Sequence, residues 1–124
     1  VSTNRFAELN AMVDVIHQAN VDAGWWSDPL TGDRIDRNRG EMLMLAVTEL
    51  AEAMEGVRKG INDDHLPNRS MEEVEIADCI IRLFDYCGGH GFDLAGAINE
   101  KCEYNRNRAD HKLENRLKDG GKKL

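Results

Sequence analysis

An all-α fold is what this 124-residue sequence predicts. Three observations point to it: apolar residues recur at three- and four-residue steps, β-branched runs are short, and the only two prolines, Pro29 and Pro67, fall in polar, turn-like stretches. A hydrophobic content of 41% is enough for one domain with a modest core. No internal repeat or linker interrupts the pattern, so four main helices are expected to pack as one bundle.

The first helix is expected from about Thr3 to Ala23, with Phe6, Leu9, Met12/Val13 and Ile16 on one face and Gly24 as its stop. A polar loop, Trp25 to Asn38, carries Asp28-Pro29 and Thr31-Gly32-Asp33. The second helix spans Arg39 to Lys59, with Leu43, Ala46/Val47, Leu50, Ala53/Met54 and Val57 as its buried stripe and Gly60 as its end. Ser70-Met-Glu-Glu73 reads as a capping box. It opens a third helix through Val74, Ala77, Ile80/Ile81, Phe84 and Cys87, which Gly88-Gly89 should break. Asp93 should cap a fourth helix that continues to about Arg108. Residues 1–111 form the expected domain, and 112–124 a polar, basic tail.

Charge is unevenly distributed. Up to Asn99 there are 8 basic and 18 acidic residues, beyond it 8 basic and 5 acidic. An acidic body suits a protein that gathers cations and disfavours a surface for a nucleic acid polymer. The longest uncharged apolar stretch, Met42 to Thr48, is far short of the roughly 20 residues a membrane span needs. Val1 opens no charged-then-apolar leader. A soluble, cytoplasmic protein is the expectation. Cys79, Cys87 and Cys102 are odd in number, lack CxxC spacing and are expected to be buried, reduced thiols.

The chemistry is carried by four acids. On a helical wheel Glu49 falls between Met42 and Ala53, inside the apolar arc, and Glu52 follows one turn on. Glu75 and Asp78 repeat the spacing on the third helix. If the two helices pack antiparallel, the four carboxylates converge, and such a cluster needs a counter-charge. With no His or Cys at ligand spacing, magnesium fits, with manganese as a substitute. Each pair taken alone is also common on solvated helices, and Asp78 with Arg82 could be an ordinary i,i+4 ion pair.

Glu49-Leu-Ala-Glu52-Ala-Met-Glu-Gly-Val-Arg58, then Glu75-Ile-Ala-Asp78, then Lys101-Cys-Glu-Tyr-Asn105-Arg-Asn-Arg108 together resemble the MazG-like branch of the all-α nucleoside-triphosphate pyrophosphohydrolases, over roughly Glu41 to His111. The resemblance implies magnesium-dependent cleavage of a (d)NTP to the monophosphate and pyrophosphate. It gives Glu49, Glu52, Glu75 and Asp78 to the metal, which would lower the pKa of the attacking water. Lys101, Asn105 and Arg108, four and three residues apart on one helix face, would meet the triphosphate, with Arg106 and His111 at that face's edge. His17, Trp25, Trp26 and Tyr104 are the candidates for the nucleoside.

Single-domain relatives of this type assemble, so a homodimer or homotetramer is expected to complete the bundle. The biological role implied is nucleotide-pool housekeeping. A dUTPase- or dCTPase-like specialist and a guanosine tetraphosphate hydrolase are alternatives within the enzyme class. A non-catalytic helical module, using the acids for metal-stabilised assembly, is the alternative outside it.

Overall fold

A computed structural model describes residues 4–124, and it is all-helical. The chain forms α1 (Leu9–Asp22), α2 (Arg39–Lys59), α3 (Met71–Gly89) and α4 (Leu94–Asn107), then a 3₁₀ turn (Ala109–His111) and a short α5 (Leu113–Arg116). Two isolated antiparallel bridges, Ser27 with Arg34 and Asn62 with Ser70, occur, and no strand forms among the described residues. Among the described residues, no helix is long and apolar enough to cross a membrane.

Two compact units emerge, one of Ala11–Phe92, the other of Asp93–Leu124 with the described residues up to Asn10. The first is organised by α2 and α3. Asn38 caps α2 by accepting from Glu41 N, and Gly60, at φ 62°, ends it with an N–H bond to Gly56 O. The capping box is formed as expected: Glu73 N donates to Ser70 Oγ at 3.1 Å, and Ser70 N to Glu73 Oε1 at 2.9 Å. Between the helices, Met71 N donates to Ile61 O and Asp63 N to Arg69 O, folding the chain back on itself. Gly56 thereby lies against Met71 and Glu72, where an added methyl would come within 2.8 Å of Glu72 N. Glu49, two turns earlier, meets Arg82, so the helices run antiparallel.

The buried face of α2 agrees with the expected one at Ala46 and Ala53 and differs from it elsewhere. Met42, Ala46, Ala53 and Gly56 are buried, whereas Leu43, Val47, Leu50, Met54 and Val57 are exposed. Small residues allow the two backbones to approach, so α3 takes that side. The bulkier apolar row is left facing away from it. On α3 the buried positions are Cys79, Asp85, Tyr86 and Cys87, while Ala77, Ile80 and Ile81 are exposed.

Gly88 and Gly89 do not break α3. The helix runs through both, and Gly91, at φ 67°, supplies the turn. Their role is close approach: a methyl at Gly88 would overlap His17 of α1, and one at Gly89 would overlap the Trp26 ring. Trp26, with Met42 and Tyr86, forms the central apolar cluster. The loop holding Trp26 is itself tied, with Ile35 N bonded to Trp26 O and Asp28 Oδ1 accepting from Leu30 N and Thr31 N.

The expected start of the first helix at Thr3 lies outside the described residues. Asn4 to Ala7 form a turn in which Asn4 Oδ1 accepts from Phe6 N, and the helix begins only at Leu9. In the second unit, Asp93 caps α4 through Gly96 N, and Asn10 fastens that cap by donating to Asp93 and accepting from Ala95 N. Cys79 and Cys87 are buried free thiols, but Cys102 is exposed on α4.

Candidate functional site

Helical spacing and antiparallel packing together bring Glu49 from α2 and Glu75 and Asp78 from α3 to one place. Ligand oxygens of the three lie within 4.8 Å of one another, and all three residues are partly buried. Glu52 is exposed and is not among the carboxylates that meet there. The helical rotation explains the difference: Glu49 lies on the Met42–Ala53 line that faces α3, and Glu52, three residues on and so turned about 60° to one side of it, lies off that line.

Crowded carboxylates cannot all ionise freely. The Glu75 carboxyl is pushed up from 4.5 to about 7, first by its hydrogen bond to Glu49, then by burial, and then by the charges of Glu49, Asp78 and Asp63. A shared proton is thus one counter-ion of the cluster. A second is Arg82, whose Nε donates to Glu49 Oε1 at 3.0 Å. The i,i+4 ion pair that the spacing of Asp78 and Arg82 would allow does not form among the described residues; Arg82 bonds across the helix pair instead. An all-oxygen, partly buried set of three carboxylates fits a hard divalent ion. These three residues could hold one.

Asp78 and Arg82 also line an adjoining pocket with Asn20, Trp25, Arg37, Ile81 and Asp85, a space of about 250 Å³. Asp85 is the residue that sequence reading missed. Only 5% exposed, it accepts from Trp26 Nε1 at 2.9 Å and meets His17 Nδ1 at 2.8 Å, both at Oδ1, with Arg37 Nη1 3.8 Å from Oδ2. Its signal was available: it follows Asp78 by seven residues, which places both on one face of α3.

The nucleoside candidates therefore divide. Trp26, 3% exposed, has its ring edge-on to His17 and beneath the guanidinium groups of Arg34 and Arg37, so it is a core residue and no open stacking platform. His17 is held with it on Asp85. Trp25, 62% exposed, is among the residues that line the pocket.

In the other unit, Lys101 and Arg108 flank the exposed Tyr104 ring, at 4.6 and 5.8 Å from its centroid. Arg108 is bound in bidentate fashion by Asp110, at 2.9 and 2.6 Å. Asn105 Oδ1 is buried without a hydrogen-bond partner among the described residues. Arg106 pairs with Glu103 at 3.0 Å, and His111 Nε2 lies 3.4 Å from Lys122 Nζ.

Fold and site together define an all-α protein with a carboxylate cluster able to hold a metal ion. Compared with family models, curated proteins and solved structures, the chain matches none.

Proposed function

We propose that the chain is a magnesium-dependent nucleoside-triphosphate pyrophosphohydrolase with a MazG-like four-helix bundle. The observation that carries this reading is the meeting of Glu49, Glu75 and Asp78 within 4.8 Å beside a pocket that shares Asp78. The motif resemblance gives the same residues to magnesium, and adds Glu52. Bound magnesium would offset phosphate charge and acidify the attacking water. Water adds across the α–β anhydride, releasing the nucleoside monophosphate and pyrophosphate.

The chain's own groups have separable tasks. Glu49, Glu75 and Asp78 supply the oxygen ligands, and Arg82 holds Glu49 in place. Trp25 offers a face for stacking. Lys101, Asn105 and Arg108 are given by the resemblance to the phosphates, Lys101 as a point charge and Arg108 as a fork that Asp110 occupies in this structure.

A second copy of the chain is the proposed partner, as dimer or tetramer. Leu43, Met44, Val47, Leu50, Met54 and Val57 make an exposed apolar row along α2, larger than isolated surface residues explain.

Pyrophosphate release from a panel of ribo- and deoxyribonucleoside triphosphates, with magnesium and with chelator, tests the activity. One dominant substrate supports a specialist and a flat profile a generalist. No pyrophosphate from any nucleotide, or unchanged turnover in Asp78→Asn, sinks the enzyme reading and favours a non-catalytic module.

A further inference from the structure

Two arginines lie against the ring of Trp26, and they are used differently. Arg34 has its Cζ 5.3 Å from the ring centroid and spends Nη2 on Gly89 O at 3.1 Å. Arg37 has its Cζ 5.6 Å from the same centroid, and it donates no hydrogen bond among the described residues, although its side chain is only 22% exposed. The one carboxylate within ion-pair distance among those residues is Asp85, whose Oδ2 stands 3.8 Å from Arg37 Nη1, too far for a hydrogen bond. The ring and the carboxylate thus hold the guanidinium by charge and leave its N–H groups unspent. A planar fork of free donors suits a carboxylate or a phosphate.

Arg37 lines the pocket of about 250 Å³ with Asn20, Trp25, Asp78 and Asp85, and Arg34 is not among the lining residues. Such a space is smaller than the roughly 300–1,000 Å³ that encloses a whole ligand, so it takes part of one. Asp78 belongs both to this pocket and to the carboxylate group with Glu49 and Glu75. A divalent ion on that group and the guanidinium of Arg37 would be two cations bordering one small space. The ligand part suited to both is an anion, and phosphate oxygens are what divalent ions and arginine forks hold together. Arg82 lines the pocket as well, but its Nε is committed to Glu49.

We propose, resting on the pyrophosphohydrolase reading above, that Arg37 is a phosphate-binding residue of the nucleotide site, its guanidinium donating two N–H groups to oxygens of one phosphoryl group. Neither the motif resemblance nor the spacing of the acids marks this residue.

Inorganic tripolyphosphate, which carries the phosphate chain without base or sugar, provides the test. Its binding in the presence of magnesium, followed by calorimetry, is expected to weaken at least about tenfold in Arg37→Gln, as loss of hydrogen bonds from a charged group does. Arg37→Lys is expected to recover part of that loss, since an ammonium keeps the charge without the fork. Arg34→Gln, the matched change at the other arginine on Trp26, is expected to stay within about twofold of wild type. In turnover, Arg37→Gln should lower kcat/KM for all hydrolysed triphosphates by a common factor, while binding of the corresponding deoxynucleosides, which lack phosphate, stays unchanged.

Unchanged tripolyphosphate affinity in Arg37→Gln overturns the proposal. So does an equal loss in Arg34→Gln, which marks both arginines as supports of Trp26, and so does a loss that falls on the deoxynucleosides or on one base alone, which makes Arg37 a reader of the base. Failure of the wild-type chain to bind tripolyphosphate overturns it too. Should circular dichroism show Arg37→Gln unfolded, Arg37→Lys carries the comparison, and full wild-type affinity there counts against the fork. If no triphosphate is hydrolysed but tripolyphosphate binds and depends on Arg37 alone of the two arginines, the hydrolase reading fails and Arg37 remains a phosphate ligand. If triphosphates are hydrolysed and neither kcat/KM nor tripolyphosphate affinity responds to Arg37, the reverse holds.

Discussion

Arg82 Nε on α3 donates to Glu49 Oε1 on α2 at 3.0 Å, so one carboxylate of the candidate metal centre already has a cationic partner from the facing helix. That bond joins the two helices and partly offsets the charge that the cluster accumulates. Arg82→Gln should therefore lower the melting temperature of the metal-free chain and enlarge the stabilisation that magnesium or manganese gives. Thermal melts with chelator and with metal check this; an equal or smaller metal-induced shift in the variant would contradict it.

Glu49, Glu75 and Asp78 meet, whereas Glu52 is exposed outside the group. Glu75→Gln is expected to abolish the metal-induced rise in melting temperature and to reduce turnover on the order of 10²-fold, as loss of one preorganised electrostatic group does. Glu52→Gln should cost less on both measures. Metal titration of each variant by calorimetry separates the two, and a Glu52 effect as large as that of Glu75 would place Glu52 among the ligands.

Glu75 has its pKa raised from 4.5 to about 7, and the direction fixes the sign of a pH effect. A carboxyl whose folded value exceeds its unfolded one stabilises the fold while protonated, so its contribution is full below about 4.5 and is lost as pH rises through about 7. The metal-free chain should melt lower at about pH 8 than at about pH 5, and Glu75→Gln should flatten that difference. Metal affinity should follow the opposite trend, strengthening through the same window as the competing proton leaves. Melting curves across pH with chelator, and metal titrations at each pH, test the two arms.

A glycine inside a helix usually gains about 1 kcal/mol on replacement by alanine. At Gly88 and Gly89 the sign should reverse. The added methyl would overlap His17 or the Trp26 ring, and overpacking costs about 1–3 kcal/mol. Urea denaturation of Gly88→Ala and Gly89→Ala should show a lower midpoint, and a stabilised variant would mean that α1 and the Trp26 loop do not rest on α3.

Local chemistry was the legible part of this fold. Ser70 with Glu73, Asp93, and Gly60 could be read as caps because the groups they satisfy lie within four residues. Half-burial of Glu49 was legible from its wheel position. What could not be read was which apolar side of α2 would meet α3, since the choice depends on how closely two backbones can approach. Gly88 and Gly89 were misread for a related reason: a glycine that ends a helix and one that admits a ring look alike until the ring is known to be there. Asp85 went unnoticed because its partners, His17 and Trp26, are 68 and 59 residues distant.

The absence of side chains at Gly88 and Gly89 ties two distant stretches of chain into one unit of variation. Any sequence change that enlarges position 88 must be met at position 17, and any at 89 must be met at 26. Exchange of residues at these four positions should be correlated, with His17→Ala rescuing part of the loss in Gly88→Ala in a double-mutant cycle. Freedom to change the rings behind the pocket is thus limited by a helix that makes no chemical contribution of its own at those two positions.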